Sequence, residues 1–386
     1  MNRQINVGLV GYKFMGKAHS NAYKKIGMFF DTSVDICMKA LCGRDEEWVK
    51  ASANKFGWEG YETNWENLVN REDIDMIDIT SPSNAHKDVA IEAAKKGKHI
   101  FCEKPLALNV KDARDMLKAA EDNNIKHQIG FNYRYAPAVL LAKKMIDEGK
   151  IGKIFHFRGQ YLQDFIIDPD FPRIWRLDKT VAGSGSHGDL GAHVIDLARY
   201  LVGDFKDVCG MNKTFINERP AVEKMQGLSA EADKSNMAPV TVDDATIFMA
   251  EFVNGALCVI ESTRFAAGHK NALVFEINGS KGSIIFELER LNELKYFSRE
   301  DEEGLQGFRT IGVTEGSHPY ISHWWPPGHI IGYEHTFIHE LYSFTESIAS
   351  SKAAAPDFND GVKCCQILDA VDLSIENGCW VKVSDV

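Results

Sequence analysis

Apolar positions in the first third of the chain fall into short runs separated by segments with helical spacing. Ile5 to Val10 is such a run, ending at Gly11, and Met15 to Ile26 follows it with helix-compatible composition. A second run, Ile36 to Leu41, leads into Glu46 to Phe56, where Trp48, Val49, Ala53 and Phe56 recur at helical intervals. Asp75 to Thr80 reads as a buried strand, Asn84 to Lys95 as a helix capped by Ser83 or Asn84, and His99 to Cys102 as a strand. Lys111 to Asn123 is the next helix and Lys126 to Gly130 the next strand. Repeated β-α units predict a parallel sheet with helices on both faces, and ligands in such sheets sit beyond the carboxyl ends of the strands.

After Gly152 the pattern changes to successive strand-like runs: Ile154 to Leu162, Asp207 to Phe215, Ala245 to Phe252, Leu257 to Thr263, Leu273 to Ile277 and Ser283 to Phe286. Turns at Asn254-Gly255 and Gly279 to Gly282 predict antiparallel pairing. One helix, Asp189 to Leu201, interrupts the series, and two more, Tyr333 to Ser350 and Asn359 to Ile375, close the chain. The polar stretch from Glu218 to Pro239 is expected to be an exposed loop or hairpin extension.

A length of 386 residues predicts two domains. The formal net charge of −11 argues against nucleic acid or an anionic membrane surface as a partner. No apolar stretch approaches the roughly 20 residues of a membrane span, and the N-terminal apolar run is too short for a signal peptide. The eight cysteines are scattered, with none in CxxC spacing, so buried thiols and a cytoplasmic location are expected.

Candidate chemistry begins at the first turn. Gly11 and Gly16 occupy the first and third positions of a G-x-G-x-x-G fingerprint, but Lys13 stands in the middle. A Cβ there pushes a bound phosphate outward, which the lysine ammonium offsets, while the helix N-terminus takes the phosphate charge. At the end of the second strand, Gly43 fills the slot where an acidic residue often binds the adenosine ribose. Arg44 beside it is suited to stack on adenine or accept a 2′-phosphate, and Asp45 to reach the ribose, so both NAD and NADP stay open from these residues.

The strand His99 to Cys102 delivers Glu103, Lys104 and Pro105 to the carboxyl edge of the sheet, where a nicotinamide would lie. Asp189 and His193 share a helix face one turn apart, an arrangement that suits proton exchange near neutrality. Tyr161, Arg158, Trp175 and Arg176 lie upstream and are suited to pack on a pyranose face and bond its hydroxyls. The segment from His318 to His335 is dense in aromatics and proline, Trp325 among them, and reads as a wall of a sugar pocket or a subunit contact. His335 and His339 have the spacing of a metal pair, but no third ligand is evident and no metal is expected.

Taken together, the turn Gly11 to Gly16, the Glu103-Lys104-Pro105 tripeptide, Gly130 to Arg134 (GFNYR), and Asp189 with His193 resemble the Gfo/Idh/MocA oxidoreductases along essentially the whole chain. The resemblance implies an α/β fold: a Rossmann domain with a doubly wound parallel sheet over residues 1–131, and a C-terminal α+β domain over residues 132–386 with an open, mostly antiparallel sheet for substrate binding and oligomerisation. It implies NAD, with NADP as the alternative, a sugar, glycoside or polyol substrate, and a homo-oligomer, dimer or tetramer. Lys104, Asp189 and His193 match the family's catalytic trio, and Asn132 matches a residue at the nicotinamide and substrate. The implied cofactor set is Gly11, Lys13, Phe14, Met15, Gly16, Gly43, Arg44, Ser81, Pro82, Asn84, His86, Glu103, Lys104 and Asn132. The implied substrate set adds Tyr133, Arg158, Tyr161, Trp175, Arg176 and Trp325 to Lys104, Asn132, Asp189 and His193. Segments after Glu261 and around Trp324 are similar to a branch containing levoglucosan dehydrogenase and bacterial glycoside 3-dehydrogenases, which implies oxidation at pyranose C3. Two other readings compete: an NAD-dependent glycosidase working by transient oxidation, which accumulates no reduced cofactor, and a non-catalytic dinucleotide sensor, which has no need of Lys104 and His193.

Overall fold

The computed structural model describes residues 3–226, 229–350 and 352–386. Contacts divide the chain into two units, Met1–Asn132 with Tyr333–Cys365, and Tyr133–Gly332 with Gln366–Val386. The strands of the first unit are β1 (Arg3–Val10), β2 (Val34–Cys42), β3 (Gly60–Glu62), β4 (Met76–Ile79), β5 (His99–Glu103) and β6 (His127–Gly130). All pair in parallel, in the order β3-β2-β1-β4-β5-β6. That order reverses between β1 and β4, which opens a crevice beyond their carboxyl ends. Ile5, Val7 and Leu9 of β1 and every residue of β4 are buried, as a sheet covered on both faces requires.

Two details of this unit depart from expectation. The helix expected from Asn84 begins with a short 3-10 turn at Ser83–Ala85 and becomes α-helical only at His86, and neither Ser83 nor Asn84 caps it with a side-chain bond. The first unit also reclaims the chain at Tyr333, beyond the expected boundary at residue 131. Helix Tyr333–Ala349 packs on helix Phe14–Phe29, with Tyr342 stacked 4.3 Å from Phe30 and Phe337 at 5.7 Å from His19. An apolar helix face buries wherever a complementary face lies, whatever the separation along the chain.

The second unit holds β7 (Ile154–Leu162), β8 (Phe205–Lys213), β9 (Glu218–Gln226), β10 (Ser229–Pro239), β11 (Ala245–Phe252), β12 (Leu257–Thr263), β13 (Ala272–Gly279), β14 (Gly282–Glu287), β15 (Glu293–Ser298), β16 (Arg309–Gly312) and β17 (Val381–Lys382). Nine of them form one sheet in the order β16-β15-β14-β13-β7-β12-β11-β8-β17. Every pair is antiparallel except β12 with β7. The polar stretch after Glu218 is the hairpin alternative, a separate two-stranded β9-β10 ribbon. The strand expected at Asp207 to Phe215 begins two residues earlier, at Phe205, whose ring packs 4.7 Å from Phe252.

Helix Ala192–Leu201 lies on the buried face of this sheet. Gly159 of β7 makes the close seat: a Cβ there would sit 2.3 Å from Val194 Cγ1 and 2.7 Å from the Phe157 ring. Gly159→Ala is therefore expected to cost about 1–3 kcal/mol by overpacking. Urea unfolding measures it, and an unchanged unfolding free energy would mean that this seat is slack.

Candidate active site

In the first unit, the turn after β1 is built for close backbone approach. Gly11 has φ of +110°, and a Cβ there would meet the Thr80 carbonyl oxygen at 2.8 Å. A Cβ at Gly16 would lie 2.0 Å from the Gly11 carbonyl oxygen, so the helix start presses directly on the turn. Helix Phe14–Phe29 opens with exposed Lys13 as its N-cap, no side-chain cap and no acidic residue in its first turn. Its first N–H groups and dipole are thus left for an anion. At the facing end of β4, the buried Ser81 hydroxyl finds no partner among the described residues. An uncapped helix N-terminus with a cation beside it and an orphaned hydroxyl across the crevice fit the pyrophosphate of a dinucleotide.

The ribose end explains the departure at Gly43. The Tyr12 ring lies over this glycine, and a Cβ would come within 2.1 Å of Tyr12 Cε1, so no acidic side chain fits there. Asp45, exposed, accepts the Trp48 N–H through Oδ1 at 3.0 Å as the N-cap of helix Glu46–Phe56. Arg44 stays exposed. Phe14 and Asn84 are exposed, and Met15 and Pro82 are half-buried at the rim.

His86, expected at the cofactor, is buried between backbone carbonyls: Nε2 is 3.0 Å from the Ser81 oxygen and Nδ1 3.1 Å from that of Pro105. Its nitrogens tie the β4 exit to the β5 exit, so the imidazole supports the loops. Glu103 is buried and accepts the Lys104 backbone N–H through Oε2 at 3.1 Å, while Asn132 donates to Thr336 Oγ1 at 2.8 Å.

The second unit carries His193, Asp189 and the residues expected around them. His193 is buried with Tyr133 at 4.5 Å and Tyr161 at 6.0 Å between ring centroids. The two tyrosine hydroxyls are 2.9 Å apart, and that of Tyr161 donates to Asn271 Oδ1 at 2.6 Å, which also accepts from Gln163. Residues His187–Gly191 form a π-helical turn, so Asp189 sits in a widened turn ahead of the α-helix that begins at Ala192. Asp243 builds that turn, accepting from Gly185 N, the Ser186 hydroxyl, His187 N and the Thr246 hydroxyl. Burial would raise the Asp243 carboxyl, but His187 and these donors hold it below its usual value. Asp189 Oδ2 accepts from buried Arg264 at 2.9 Å and lies 3.7 Å from Arg176 Nε. Arg176 stacks on Trp175, its guanidinium 4.5 Å from the ring centroid.

Arg158 does not join this cluster. On β7, Phe157, Gly159 and Tyr161 are buried while Arg158 points to the opposite, open face, bonded to Asn278 and 52% exposed. Side chains one or three residues apart on a strand face opposite ways, and placing Arg158 with Tyr161 ignored that alternation. Trp325 is exposed, in the segment just after the short 3-10 turn Ile321–His323. Sequence reasoning missed Arg264, Asn271, Gln163 and Asp243. Arg264 lies at the end of the β12 run, where a buried arginine needs a carboxylate partner, and that was a usable signal.

A buried cluster lies behind Glu103. His19 has both ring nitrogens on carboxylates, Asp78 and Glu103, and Tyr23 donates to Asp78 at 2.8 Å. Glu340 faces the same groups, and both its carboxyl oxygens lack a partner among the described residues.

Comparison with known proteins gives two family matches. Residues 5–131 match the oxidoreductase family NAD-binding Rossmann fold, and residues 139–285 match the GFO/IDH/MocA C-terminal domain. The chain is 42% identical to levoglucosan dehydrogenase of Pseudarthrobacter phenanthrenivorans, over 100% of this chain and 99% of that one. A crystal structure of an oxidoreductase domain protein from Kribbella flavida is 45% identical, with a TM-score of 0.94 over 99% of this chain and 100% of that one. The structure of levoglucosan dehydrogenase in complex with NADH and levoglucosan is 42% identical, with a TM-score of 0.94 over 100% of both chains.

Burial and the carboxylates of Glu103 and Asp78 hold the Glu340 carboxyl well above its usual 4.5. The folded protein then keeps a proton that the unfolded chain loses above that pH, so this group subtracts stability as pH rises through and beyond 4.5. Glu340→Gln removes that contribution. Its unfolding free energy relative to the parent is expected to rise with pH between 5 and 8, with a slope of up to about 1.4 kcal/mol per unit. Urea titrations across that range measure it, and a pH-independent difference would mean that Glu340 is ionised in the fold.

Proposed function

Because the chain belongs to the Gfo/Idh/MocA oxidoreductases, whose Rossmann module binds NAD, we propose that it oxidises a secondary hydroxyl of a pyranose, at C3, in a sugar or glycoside such as an anhydrosugar. The carrying observation is a group of side chains in the second unit: a buried imidazole beside two linked tyrosine hydroxyls, a carboxylate held by two arginines, and a Trp-Arg stack. That surface offers apolar ring faces and several directed hydrogen-bond groups, the recognition a polyhydroxylated ring requires. The likeness to levoglucosan dehydrogenase over the full length supports the substrate class.

Bound NAD supplies the hydride acceptor. His193 accepts the hydroxyl proton as the C–H bond breaks, and the Lys104 ammonium donates a hydrogen bond to the same oxygen, favouring the developing alkoxide. Asp189, fixed by Arg264 and Arg176, accepts hydrogen bonds from neighbouring substrate hydroxyls. The reading requires Lys104 and His193 to reach one substrate oxygen. All eight cysteines are free thiols, which supports a reducing compartment, the cytoplasm.

The open face of the large sheet exposes Met211, Ile247, Met249, Leu257 and Val259. Met211 pairs with Ile247 and Met249 with Val259 across the strands, so the apolar groups lie in adjacent rows. Such a patch supports a subunit contact in a dimer or tetramer.

Levoglucosan, alkyl glucosides, free pyranoses and inositols, each assayed with NAD and NADP, are expected to give net NADH with at least one pyranose, and NMR of the product to show a 3-keto sugar. Lys104→Met and His193→Asn are each expected to lower kcat by about 100-fold or more with NAD affinity retained. Absence of NADH with every substrate overturns the reading, and either variant at parental rates overturns its residue's role. Sedimentation of Met249→Lys tests the assembly: a parent larger than a monomer should shift towards monomer with its circular dichroism unchanged.

A further inference from the structure

His19 is wholly buried one turn into the helix that follows the cofactor turn, and both its ring nitrogens are taken up by side chains of the sheet. Nδ1 lies 2.9 and 3.1 Å from the two Asp78 carboxylate oxygens, and Nε2 lies 3.0 Å from Glu103 Oε1. Burial opposes a charge here, but the Asp78 and Glu103 carboxylates hold the imidazole well above its usual value and favour an N–H on each nitrogen, an imidazolium. Phe101 and Phe337 pack on it at 5.4 and 5.7 Å and keep water out. Glu103 spends its other oxygen, Oε2, on the backbone N–H of Lys104 at 3.1 Å. A continuous chain of hydrogen bonds therefore runs from Tyr23 through Asp78, His19 and Glu103 to the Lys104 amide, entirely within the first unit.

We propose that His19 is a positioning residue for Lys104: by clamping the Glu103 carboxylate against the first helix and β4, it fixes the backbone from which the lysine reaches the substrate oxygen. The role given to the lysine rests on the dehydrogenase reading above, whereas the clamp itself is a property of the fold. Without it, Glu103 would be a buried carboxylate free to swing, and the Lys104 amide would lose its acceptor. Small displacements of a reacting group cost rate far more than affinity, so the clamp should act on kcat.

Two variants test this. His19→Gln offers one amide and turns a carbonyl oxygen towards one of the two carboxylates. Glu103→Gln has a single acceptor oxygen, which serves either the imidazolium or the Lys104 amide but not both. In the intact protein, hydrogen exchange by mass spectrometry is expected to rise by about ten-fold or more in the peptide covering residues 101–108, with β1 and β6 unchanged. On the best sugar of the panel, kcat should fall by about 10- to 100-fold while the sugar KM and the NAD dissociation constant change by less than about three-fold. Unaltered exchange at 101–108 in a folded variant overturns the proposal, as does a rise spread evenly over the six parallel strands, which marks His19 as ordinary core. Should His19→Gln fail to fold, Glu103→Gln decides alone. If the parent oxidises no sugar but the exchange rise is confined to 101–108, the clamp stands and the dehydrogenase reading fails.

Discussion

A charge in the middle of a parallel sheet is the constraint around which the first unit is arranged. Asp78 lies in β4, a strand covered on both faces, where an unpaired carboxylate would cost several kcal/mol. His19 and Tyr23, one turn apart on helix Phe14–Phe29, answer it from the helix that packs over the strand. The same imidazole reaches Glu103 at the end of β5. One buried ion group thus joins the first helix, the central strand and the neighbouring strand's exit, and sets their relative heights more sharply than apolar packing would.

Close backbone contacts do the same work at the rim. Gly16 against the Gly11 carbonyl lets the helix N-terminus open into the crevice, and Gly159 under Val194 seats the helix carrying His193 on β7. At Gly185, a Cβ would come within 1.7 Å of the Asp243 carbonyl oxygen, so the π-helical turn bearing Asp189 also depends on a missing side chain. In each place a short backbone contact fixes the position of a candidate site group, the precision that the proposed hydride transfer requires.

Charge placement divides the labour between the units. The first offers an uncapped helix N-terminus and Lys13 for phosphates, with no acidic residue in the first turn. The second holds Asp189 Oδ2 2.9 Å from Arg264 and 3.7 Å from Arg176 Nε. A pyrophosphate and the proposed neutral sugar make opposite demands: the first is met by cationic and N–H groups, the second by hydrogen-bond acceptors.

Periodicity, turn residues and short motifs were enough to read the alternating strands and helices of the Rossmann unit, the antiparallel hairpins, and Gly11, Lys104, Asp189 and His193 as candidates, because those signals are local. They did not reveal that Arg158 faces away from Tyr161, although strand alternation contained that information, nor that Asp45 caps a helix through one of its oxygens. The glycine at position 43 has a tertiary cause, the Tyr12 ring that fills the space a side chain there would need. The return of Tyr333–Cys365 to the first unit, the grip of Arg264 on Asp189, and the His19 link between residues 78 and 103 were decided only by tertiary structure. Each joins groups far apart in the chain, and a single sequence records which side chains exist but not which distant ones satisfy a buried charge.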